Sequence, residues 1–509
     1  MDTIQLKTVD PLSQELLKFA DEQGIKLNWE RYERLQPQDG FLRLGLSCPY
    51  GCLQGPCRID PFGRGPDRGL CGLDRDRMVA ALLLRLMLNG ALEAMNEVGT
   101  SPESTEPSLP PPLVQIFSPT VKRLGGKRRP AEEISRSAFY LHRPMESPED
   151  LILQALRLGV LTVGLLVNRK VPENLRSRLP LKVGYGLLAA KELLAGVCGQ
   201  ADTKFLEEIS EVFPWHLPGG GRIVSLGSWV PFKDGLLPCV CTSGEAELVV
   251  SSGRIRLLIA GPGTDPSLIE LCRQLNIPFI GSENPRDVEK GILEANQRAY
   301  VRPQAPLAPD PQLVEEVEVI MTPDEFGDYL KKNVPGRLAL LGGADHLLYP
   351  LGWIPVEVAS SLRGENYRVA GWGDAALWMA KKGLASAKSK TPALILDNQQ
   401  GPLLALKALA KAGRLRDLKG VCFAGVKSCQ DLAQALGFAA LGVRVCITTP
   451  LPLWGSEGVR RLLAEKITAL GGSLTHFDHP AHAQEILEWF LEEGVPGAEE
   501  QKVPAKPQN

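Results

Sequence analysis

Four cysteines lie within 24 residues near the start of the chain, and this cluster constrains the fold more than any other feature. They are Cys48, Cys52, Cys57 and Cys71, separated by three, four and thirteen residues. The residues between them are rich in glycine, proline and arginine, which favour loops over helix. Because the sulfurs of a thiolate cage must converge on one centre, the backbone has to wrap around the metal, and glycine permits this at little steric cost. Residues 48–71 are therefore predicted to form a metal-binding loop.

Two kinds of metal centre compete for this loop. Structural zinc ribbons usually pair their cysteines as two C-x2-C knuckles, whereas only one close pair is present here and its gap is three residues. A [4Fe–4S] cluster accepts looser spacing because each thiolate binds a different iron. The pattern favours the [4Fe–4S] cluster. Zinc and a disulfide framework stay as alternatives, the latter disfavoured in a chain of this size without a secretory segment.

Length and charge set further limits. The chain has 509 residues, enough for two to four domains, and a formal net charge of −2 with a pI of about 6.4. This small net charge gives no electrostatic reason to expect binding to nucleic acid or to an anionic membrane. The polar, acidic N-terminus lacks the basic region and apolar core that are typical of a signal peptide, and no apolar run is expected to span a bilayer. We expect a cytoplasmic protein, and the odd number of cysteines fits a reducing compartment.

The N-terminal part is predicted to be mainly helical, as one domain over residues 1–215. Helices are expected at 4–27, after Asp74 and over 131–213, the last including the Leu- and Ala-rich segment 187–199. The Pro- and Ser-rich residues 99–130 are expected to form an exposed linker.

From about residue 218, short β-branched runs alternate with glycine turns and helices, which is typical of parallel α/β layers. A Pro-rich stretch near 303–320 indicates a boundary. We expect two α/β domains, at 216–318 and 319–493, and a disordered tail at 494–509.

The cysteine stretch also carries a family resemblance. Residues 30–72, with the run GPCRIDPFG followed by GLCG, resemble the N-terminal cluster region of the anaerobic nickel–iron–sulfur carbon monoxide dehydrogenases. CTSGEAELVVSS, LDNQQGPLLALKALAKA and the C-terminal stretch that begins LPLWGSEGVRR resemble later segments of that family, in the same order. The resemblance implies a hybrid-cluster-like fold of one helical domain and two Rossmann-like parallel α/β domains.

The resemblance also implies roles for the cysteines of the loop. Cys48, Cys52, Cys57 and Cys71 fall on the four ligands of the [4Fe–4S] cluster that relays electrons within a subunit, with one extra residue between the first two. A second relay cluster of the family is shared across a dimer by two further cysteines per subunit. This chain has Asp39 and Ser47 there, so the shared cluster is expected to be absent.

The family's nickel–iron–sulfur active site is the part where this sequence departs most. The segment that carries the family's histidine ligand corresponds to residues 225–231, which contain no histidine. Cysteine ligands correspond to Gly263, Gly343, Trp372 or Gly373, and Ile395, the catalytic lysine corresponds to Leu432, and the proton-transferring histidines after the first long helix are missing. Only Cys241 matches a ligand position. Nickel is therefore unlikely, and we expect the ordinary reaction to be lost.

The remaining cysteines leave two interpretations open. Cys198, Cys239, Cys241, Cys272, Cys422, Cys429 and Cys446 are predicted as core residues, with a second metal site as the alternative. The histidines His476, His479 and His482 are predicted to lie in a solvated loop.

The functional hypotheses rest on the cysteine loop at residues 48–71. The favoured hypothesis is an iron–sulfur, electron-transfer or structural subunit of an anaerobic redox complex, whose partner is a ferredoxin or a larger oxidoreductase, in a homodimer or heteromer. The alternatives are an oxidoreductase with a remodelled metal site and a true carbon monoxide dehydrogenase, which converts CO and water to CO2.

Overall fold

The computed structural model describes most of the chain. The described residues are 6–35, 40–99, 111–125, 129–142, 146–169, 177–189, 192–217, 219–281, 288–298, 303–307, 314–332, 336–386, 391–397 and 401–492. The predicted tail at 494–509 lies outside them.

Helices dominate the first third of the chain. They are α1 Pro11–Glu22, α2 Asn28–Leu35, α3 Gly40–Leu44, α4 Arg75–Glu97, α5 Pro111–Arg123, α6 Pro130–His142 and α7 Pro148–Val167. Side-chain caps start the two longest ones: Asp74 accepts from the Arg77 N–H, and Ser147 accepts from the Asp150 N–H. The helix predicted after Asp74 is confirmed, and α6 and α7 confirm helices in the stretch predicted to be helical from residue 131.

One expectation for this region is wrong. Residues 99–130 were expected to be an exposed linker, but α5 lies within them, with Leu113 and Phe117 buried in the helical core. These two side chains and Leu124 recur at helical spacing, so burying their common face stabilises a helix despite the prolines around it. Residues 100–110 and 126–128 lie outside the described part.

The strands follow in two series, and helices alternate with the strands within each series. The first series is β1 Arg178–Val183, β2 Leu193–Cys198, α8 Thr203–His216, β3 Gly221–Gly227, β4 Pro231–Phe232, β5 Gly235–Leu236, β6 Cys239–Thr242, α9 Ala246–Ser251, β7 Ile255–Ala260, α10 Pro266–Gln274, β8 Phe279–Gly281 and α11 Val288–Arg298. The second series is β9 Glu315–Ile320, α12 Pro323–Lys332, β10 Arg337–Gly342, α13 Trp353–Gly364, β11 Tyr367–Gly371, α14 Gly373–Lys381, β12 Leu394–Leu396, α15 Gly401–Ala412, β13 Leu418–Phe423, α16 Cys429–Ala440, β14 Arg444–Ile447, α17 Glu457–Ala469, β15 Ser473–His476 and α18 Ala483–Leu491.

The helical expectation for 187–199 is also wrong. Residues Leu193–Cys198 form β2, whose six residues are all buried between neighbouring strands. Leucine and alanine favour helix by intrinsic propensity, but burial on both faces of a sheet overrides that preference. Strands therefore begin at residue 178, inside the region expected to be helical to 215, while the division into three domains stays a prediction.

Both series join one sheet through a single antiparallel pair. The strand order is β15-β14-β13-β10-β11-β12-β9-β1-β6-β3-β2-β7-β8, and every neighbouring pair is parallel except β1 with β9. Pairing of β1 with β6 is confined to Val183 opposite Cys239, which leaves the sheet free to turn there. The predicted α/β class with N-terminal helices is confirmed.

Three helices form the layer that covers the second series. Helices α4, α7 and α16 pack against one another. Gly159 on α7 and Gly437 on α16 meet at one crossing, where a Cβ on Gly437 would lie 2.3 Å from the Gly159 carbonyl oxygen. Glycine is required there because the two backbones approach too closely for a side chain.

The expectation that no apolar run could span a bilayer needs correction. Helices α4 and α7 are both long and apolar enough to do so by length and composition. In their most apolar windows, 67% and 83% of the residues are buried inside the protein.

A buried ion pair connects the N-terminal helix with both strand series. Lys381 Nζ lies 2.7 Å from both carboxylate oxygens of Glu245, and the two side chains are 4% and 0% exposed. Ser13 on α1 and Tyr185 also donate to Glu245 Oε1, at 2.7 and 2.8 Å. Burial alone lowers the pKa of Lys381, but the charges of Glu245 and then Asp10 outweigh it, so the pKa lies above its ordinary value.

Lys381→Met is expected to lower the free energy of unfolding by about 3–5 kcal/mol, because the Glu245 carboxylate would stay buried without its cation. Lys382→Met is the matched control: that lysine is 24% exposed and pairs with Asp10, and we expect a cost of about 1 kcal/mol or less. Urea unfolding followed by circular dichroism measures both. Equal losses in the two variants would contradict the role given to the ion pair.

The charge on Lys381 also predicts a pH dependence. Its stabilisation is complete below the unfolded lysine pKa of 10.5 and is lost as pH rises through the higher folded pKa. Unfolding free energies measured above pH 10 should therefore fall less steeply in Lys381→Met than in the wild type.

Candidate functional site

A short antiparallel contact frames the cysteine loop. The Cys48 N–H donates to the Cys57 carbonyl at 2.9 Å, and the Ile59 N–H donates to the Leu46 carbonyl at 3.0 Å. Leu46 and Ile59 are fully buried in the helical core. The loop is thus anchored at both flanks, with Cys48 next to Cys57.

The four thiols differ in exposure. Cys48 and Cys57 are half-buried, whereas Cys52 and Cys71 are exposed. The Leu70 N–H donates to Cys57 Sγ at 3.3 Å, which closes the loop just before Cys71. Burial raises the pKa of the Cys48 thiol, and nearby charge on Cys57 and Cys71 raises it further. The structure therefore brings Cys48, Cys57 and Cys71 together, with Cys52 on the adjoining turn.

Arginine side chains tie this loop to the helical core. Arg75 Nη2 donates to the Asp60 carbonyl at 2.9 Å, and Arg85 donates to the Pro49 carbonyl. Both arginines belong to α4, so the helix that follows the loop holds its backbone on either side of Cys57.

A [4Fe–4S] cluster requires four thiolate donors, and this anchored loop carries four cysteines. Each thiolate binds a different iron, and backbone N–H groups donate to the sulfurs, as Leu70 does to Cys57. Within the described residues, no three His, Cys, Asp or Glu side chains are grouped closely enough to hold a single metal ion. When bound, such a cluster supplies one-electron transfer.

The structure describes one of the two positions assigned to the shared cluster. Ser47 forms an isolated antiparallel bridge with Arg58 at the edge of the loop. Asp39 lies outside the described residues.

A second candidate site is a cavity of about 370 Å³ between the two strand series. Residues that follow the carboxyl ends of strands in both series line it, among them Gly199, Gly227, Ser243, Gly263, Gly343 and Gly373. Glu97 of α4 and Gln434 of α16 line it from the helical layer. Crevices at the carboxyl ends of parallel strands are the usual ligand sites of α/β proteins.

Most positions expected to replace the family's metal ligands converge on this cavity. It is lined by residues 227–230, Gly263, Gly343, Trp372 and Gly373. Ile395 and Leu432 do not line it and are buried in β12 and α16. All six histidines and all eleven cysteines lie in the described part of the chain, and none of them lines the cavity.

Cys241, the one matching ligand position, is buried in β6 behind the cavity. Burial raises the pKa of its thiol well above the ordinary value, and the charge of Glu245 raises it further. Its side chain does not line the cavity.

The other cysteines and the C-terminal histidines lie apart from both sites. Cys198, Cys239, Cys272, Cys422 and Cys446 are buried, and Cys429 is half-buried at the start of α16. Cys422 and Cys446 are register partners on β13 and β14. His479 and His482 are exposed, and His479 contacts Asp478 and Glu485. His476 is half-buried at the end of β15, so its assignment to a solvated loop is wrong.

The sequence analysis missed the polar wall of the cavity. Asp374 Oδ1 accepts from the Ser243 N–H at 2.9 Å, and its Oδ2 accepts from the Asp345 N–H at 2.8 Å, so it ties β6 to β10. Burial raises the pKa of Asp374, while these hydrogen bonds lower it. The sequence carries one pattern that indicates part of this region. Thr242 and Glu245 have the T-x-x-E spacing of a capping box, and the structure shows that they form one.

Short segments of the chain match curated carbon monoxide dehydrogenases. Carbon monoxide dehydrogenase 1 from Carboxydothermus hydrogenoformans is 51% identical over 84 residues, which are 16% of this chain and 13% of that protein. Carbon monoxide dehydrogenase 1 from Methanosarcina mazei is 48% identical over 85 residues, 17% of this chain and 13% of that protein. The matches thus span only a small part of these relatives' length. No protein-family model matches the chain.

Solved structures extend the likeness to the whole fold. A nickel-free carbon monoxide dehydrogenase from Thermococcus sp. AM4 aligns with a TM-score of 0.77 at 19% identity, over 96% of this chain and 97% of that one. Carbon monoxide dehydrogenase IV from Carboxydothermus hydrogenoformans aligns with a TM-score of 0.74, also at 19% identity, over 96% and 99%. The chain has the fold of these carbon monoxide dehydrogenases, and about 85 of its residues are similar in sequence to proteins of that name. The resemblance drawn from the cysteine stretch is confirmed.

The two sites differ in how well they fit the metal groups of this family. The loop offers four thiols to a [4Fe–4S] cluster. The cavity offers carboxylates, amides and backbone where a nickel–iron–sulfur cluster needs several soft donors, so its residues do not fit that cluster.

Cys57→Ser is expected to reduce iron bound after anaerobic reconstitution from about four atoms per chain to below about one, because the cluster loses a thiolate held at the loop's anchor. Cys429→Ser is the matched control, since Cys429 is also half-buried but lies on α16. Iron and sulfide analysis with visible absorption measures both. Full iron content in Cys57→Ser would show that the ligands lie elsewhere.

Proposed function

We propose that this chain is a carbon monoxide dehydrogenase-like iron–sulfur protein that holds one [4Fe–4S] cluster on Cys48, Cys52, Cys57 and Cys71. It lacks the nickel–iron–sulfur active site and acts as an electron-transfer or structural subunit of an anaerobic redox complex. One observation carries the proposal: four thiols share the loop, and none lines the cavity at the active-site position.

The composition of the cavity argues against carbon monoxide oxidation. Nickel and iron are held by thiolates and imidazoles, and one buried thiol such as Cys241 cannot replace that set. The reaction also needs a base and a path for protons. Asp374 is one of three carboxylates that line the cavity, with Glu97 and Asp431, and hydrogen bonds from Ser243 and Asp345 engage both of its oxygens.

The surface around the loop supports contact with a redox partner. Leu53, Phe62 and Leu70 are 102%, 81% and 72% exposed, and they lie in the same loop as the exposed thiols of Cys52 and Cys71. Exposed apolar side chains that cluster in this way mark interaction surfaces. We infer that a ferredoxin, a larger oxidoreductase or a second copy of the chain receives electrons here, in the cytoplasm.

Metal analysis of protein purified anaerobically from nickel-supplemented cells is expected to give about four irons per chain and no stoichiometric nickel. The same preparation should not reduce methyl viologen with carbon monoxide, while dithionite should reduce its cluster. Bound nickel together with CO-dependent viologen reduction would establish a true carbon monoxide dehydrogenase. Iron well beyond four atoms per chain would instead indicate a remodelled metal site.

A further inference from the structure

Another cavity, of about 570 Å³, lies at the amino ends of β10, β11, β13 and β14, which are consecutive neighbours in the sheet. The first residue of each of these strands lines it: Arg337, Tyr367, Leu418 and Arg444. Its volume falls within the range of small-molecule sites, roughly 300–1,000 Å³. We propose that this basic cavity binds a phosphorylated organic molecule whose body is apolar or aromatic. The inference does not depend on the iron–sulfur loop.

Positive charge dominates the lining of the basic cavity. Four of its fourteen lining residues are cationic and one is anionic: Arg337, Arg416, Lys419 and Arg444 against Glu492. The Glu492 carboxylate is 72% exposed and lies 3.4 Å from Arg444, so water screens this single ion pair. The side chains of Arg416 and Lys419 are exposed and form no hydrogen bond or ion pair within the described part of the chain.

This excess of three positive charges is local, because the whole chain has a formal net charge of −2. A concave surface of one sign of charge attracts small ions of the opposite sign. A phosphate group answers the excess better than a carboxylate does, because one phosphate monoester carries about −1.5 to −2 charges at pH 7. The charge of the lining therefore favours a phosphorylated ligand.

Aromatic rings hold two of the guanidinium groups. Arg337 Cζ lies 5.7 Å from the centre of the Tyr367 ring, and Arg444 Cζ lies 4.3 Å from the centre of the Trp489 ring. Tyr367 is fixed in turn, because its hydroxyl donates to the Phe490 carbonyl at 2.7 Å. A planar guanidinium presents its N–H donors in a fork that matches phosphate oxygens, and stacking on a ring reduces the freedom that binding would remove.

The rest of the lining is largely apolar. Leu406, Leu441 and Phe490 belong to the buried core and also line the basic cavity. Ile116 of α5 and the half-buried Leu415 line it as well. Covering these side chains with the apolar part of a ligand removes apolar surface from water, which is favourable. An inorganic phosphate would leave this part of the lining unused, so the ligand is expected to carry an organic body.

Calorimetry on the full chain carrying its cluster, under anaerobic and magnesium-free conditions, tests the proposal with four probes. ATP and geranyl diphosphate carry phosphates on an aromatic and on an aliphatic body, tripolyphosphate carries charge without a body, and adenosine carries a body without charge. We expect ATP or geranyl diphosphate to bind with a Kd below about 100 μM, at least about tenfold more tightly than tripolyphosphate and adenosine. The tighter of the two organic phosphates identifies the kind of body.

Charge-removing variants place the binding at this cavity. Arg416→Gln and Lys419→Gln each remove one exposed cation without a described partner, and each should weaken the tighter organic phosphate about tenfold through the loss of a charge-assisted hydrogen bond. Lys18→Gln is the matched control, since Lys18 is an exposed lysine of α1 that also has no described partner, and its affinity should equal that of the wild type. Circular dichroism checks that all three variants fold.

Three results would overturn the proposal. One is a Kd above about 100 μM for both organic phosphates. Another is tripolyphosphate binding as tightly as they do, which would indicate a basic surface without a site for the organic body. The third is wild-type affinity in both Arg416→Gln and Lys419→Gln, which would place the binding elsewhere on the chain.

Discussion

The buried ion pair between Lys381 and Glu245 is the interaction on which the arrangement of the rest depends. Glu245 follows β6 in the first strand series, and Lys381 ends α14 in the second. Ser13 and Tyr185 complete the hydrogen bonds of the carboxylate, so α1 is fixed to the same point. Two opposite charges that are buried away from water need all of these hydrogen bonds and each other, because the loss of one partner leaves an uncompensated buried charge. The pair therefore sets how the two series face each other.

The cavity lies where the two strand series face each other. Carboxyl ends of parallel strands leave a crevice where chain direction reverses between strand and helix. Here the crevices of both series open into one space, and Asp374 ties its wall together through Ser243 and Asp345. The fold therefore places a cavity at these strand ends, with glycine and tryptophan among its lining residues.

The loop and the cavity are held by different local contacts, although α4 reaches both, with Arg75 and Arg85 at the loop and Glu97 at the cavity. Short backbone hydrogen bonds and two arginines of α4 hold the cysteine loop, and none of these groups touches the cavity. A cluster on the loop thus needs no partner in the active site to be held. In the proposed function, electrons enter or leave at the exposed side of the loop, where Leu53 and Phe62 face solvent.

The sequence by itself determined the cysteine loop, the α/β class and the family, because thiol spacing, glycine turns and capped apolar helices are local signals. It failed at 187–199 and at α5, where burial against distant elements outweighs the local preference of leucine, alanine and proline. Tertiary structure alone decided that the positions of Gly263, Gly343 and Trp372 share one cavity, and that Cys241 is enclosed behind it. It also alone revealed the basic cavity at the amino ends of β10, β11, β13 and β14, and the Lys381–Glu245 pair. These features join residues far apart in the chain, and no spacing rule relates such residues until the sheet brings them together.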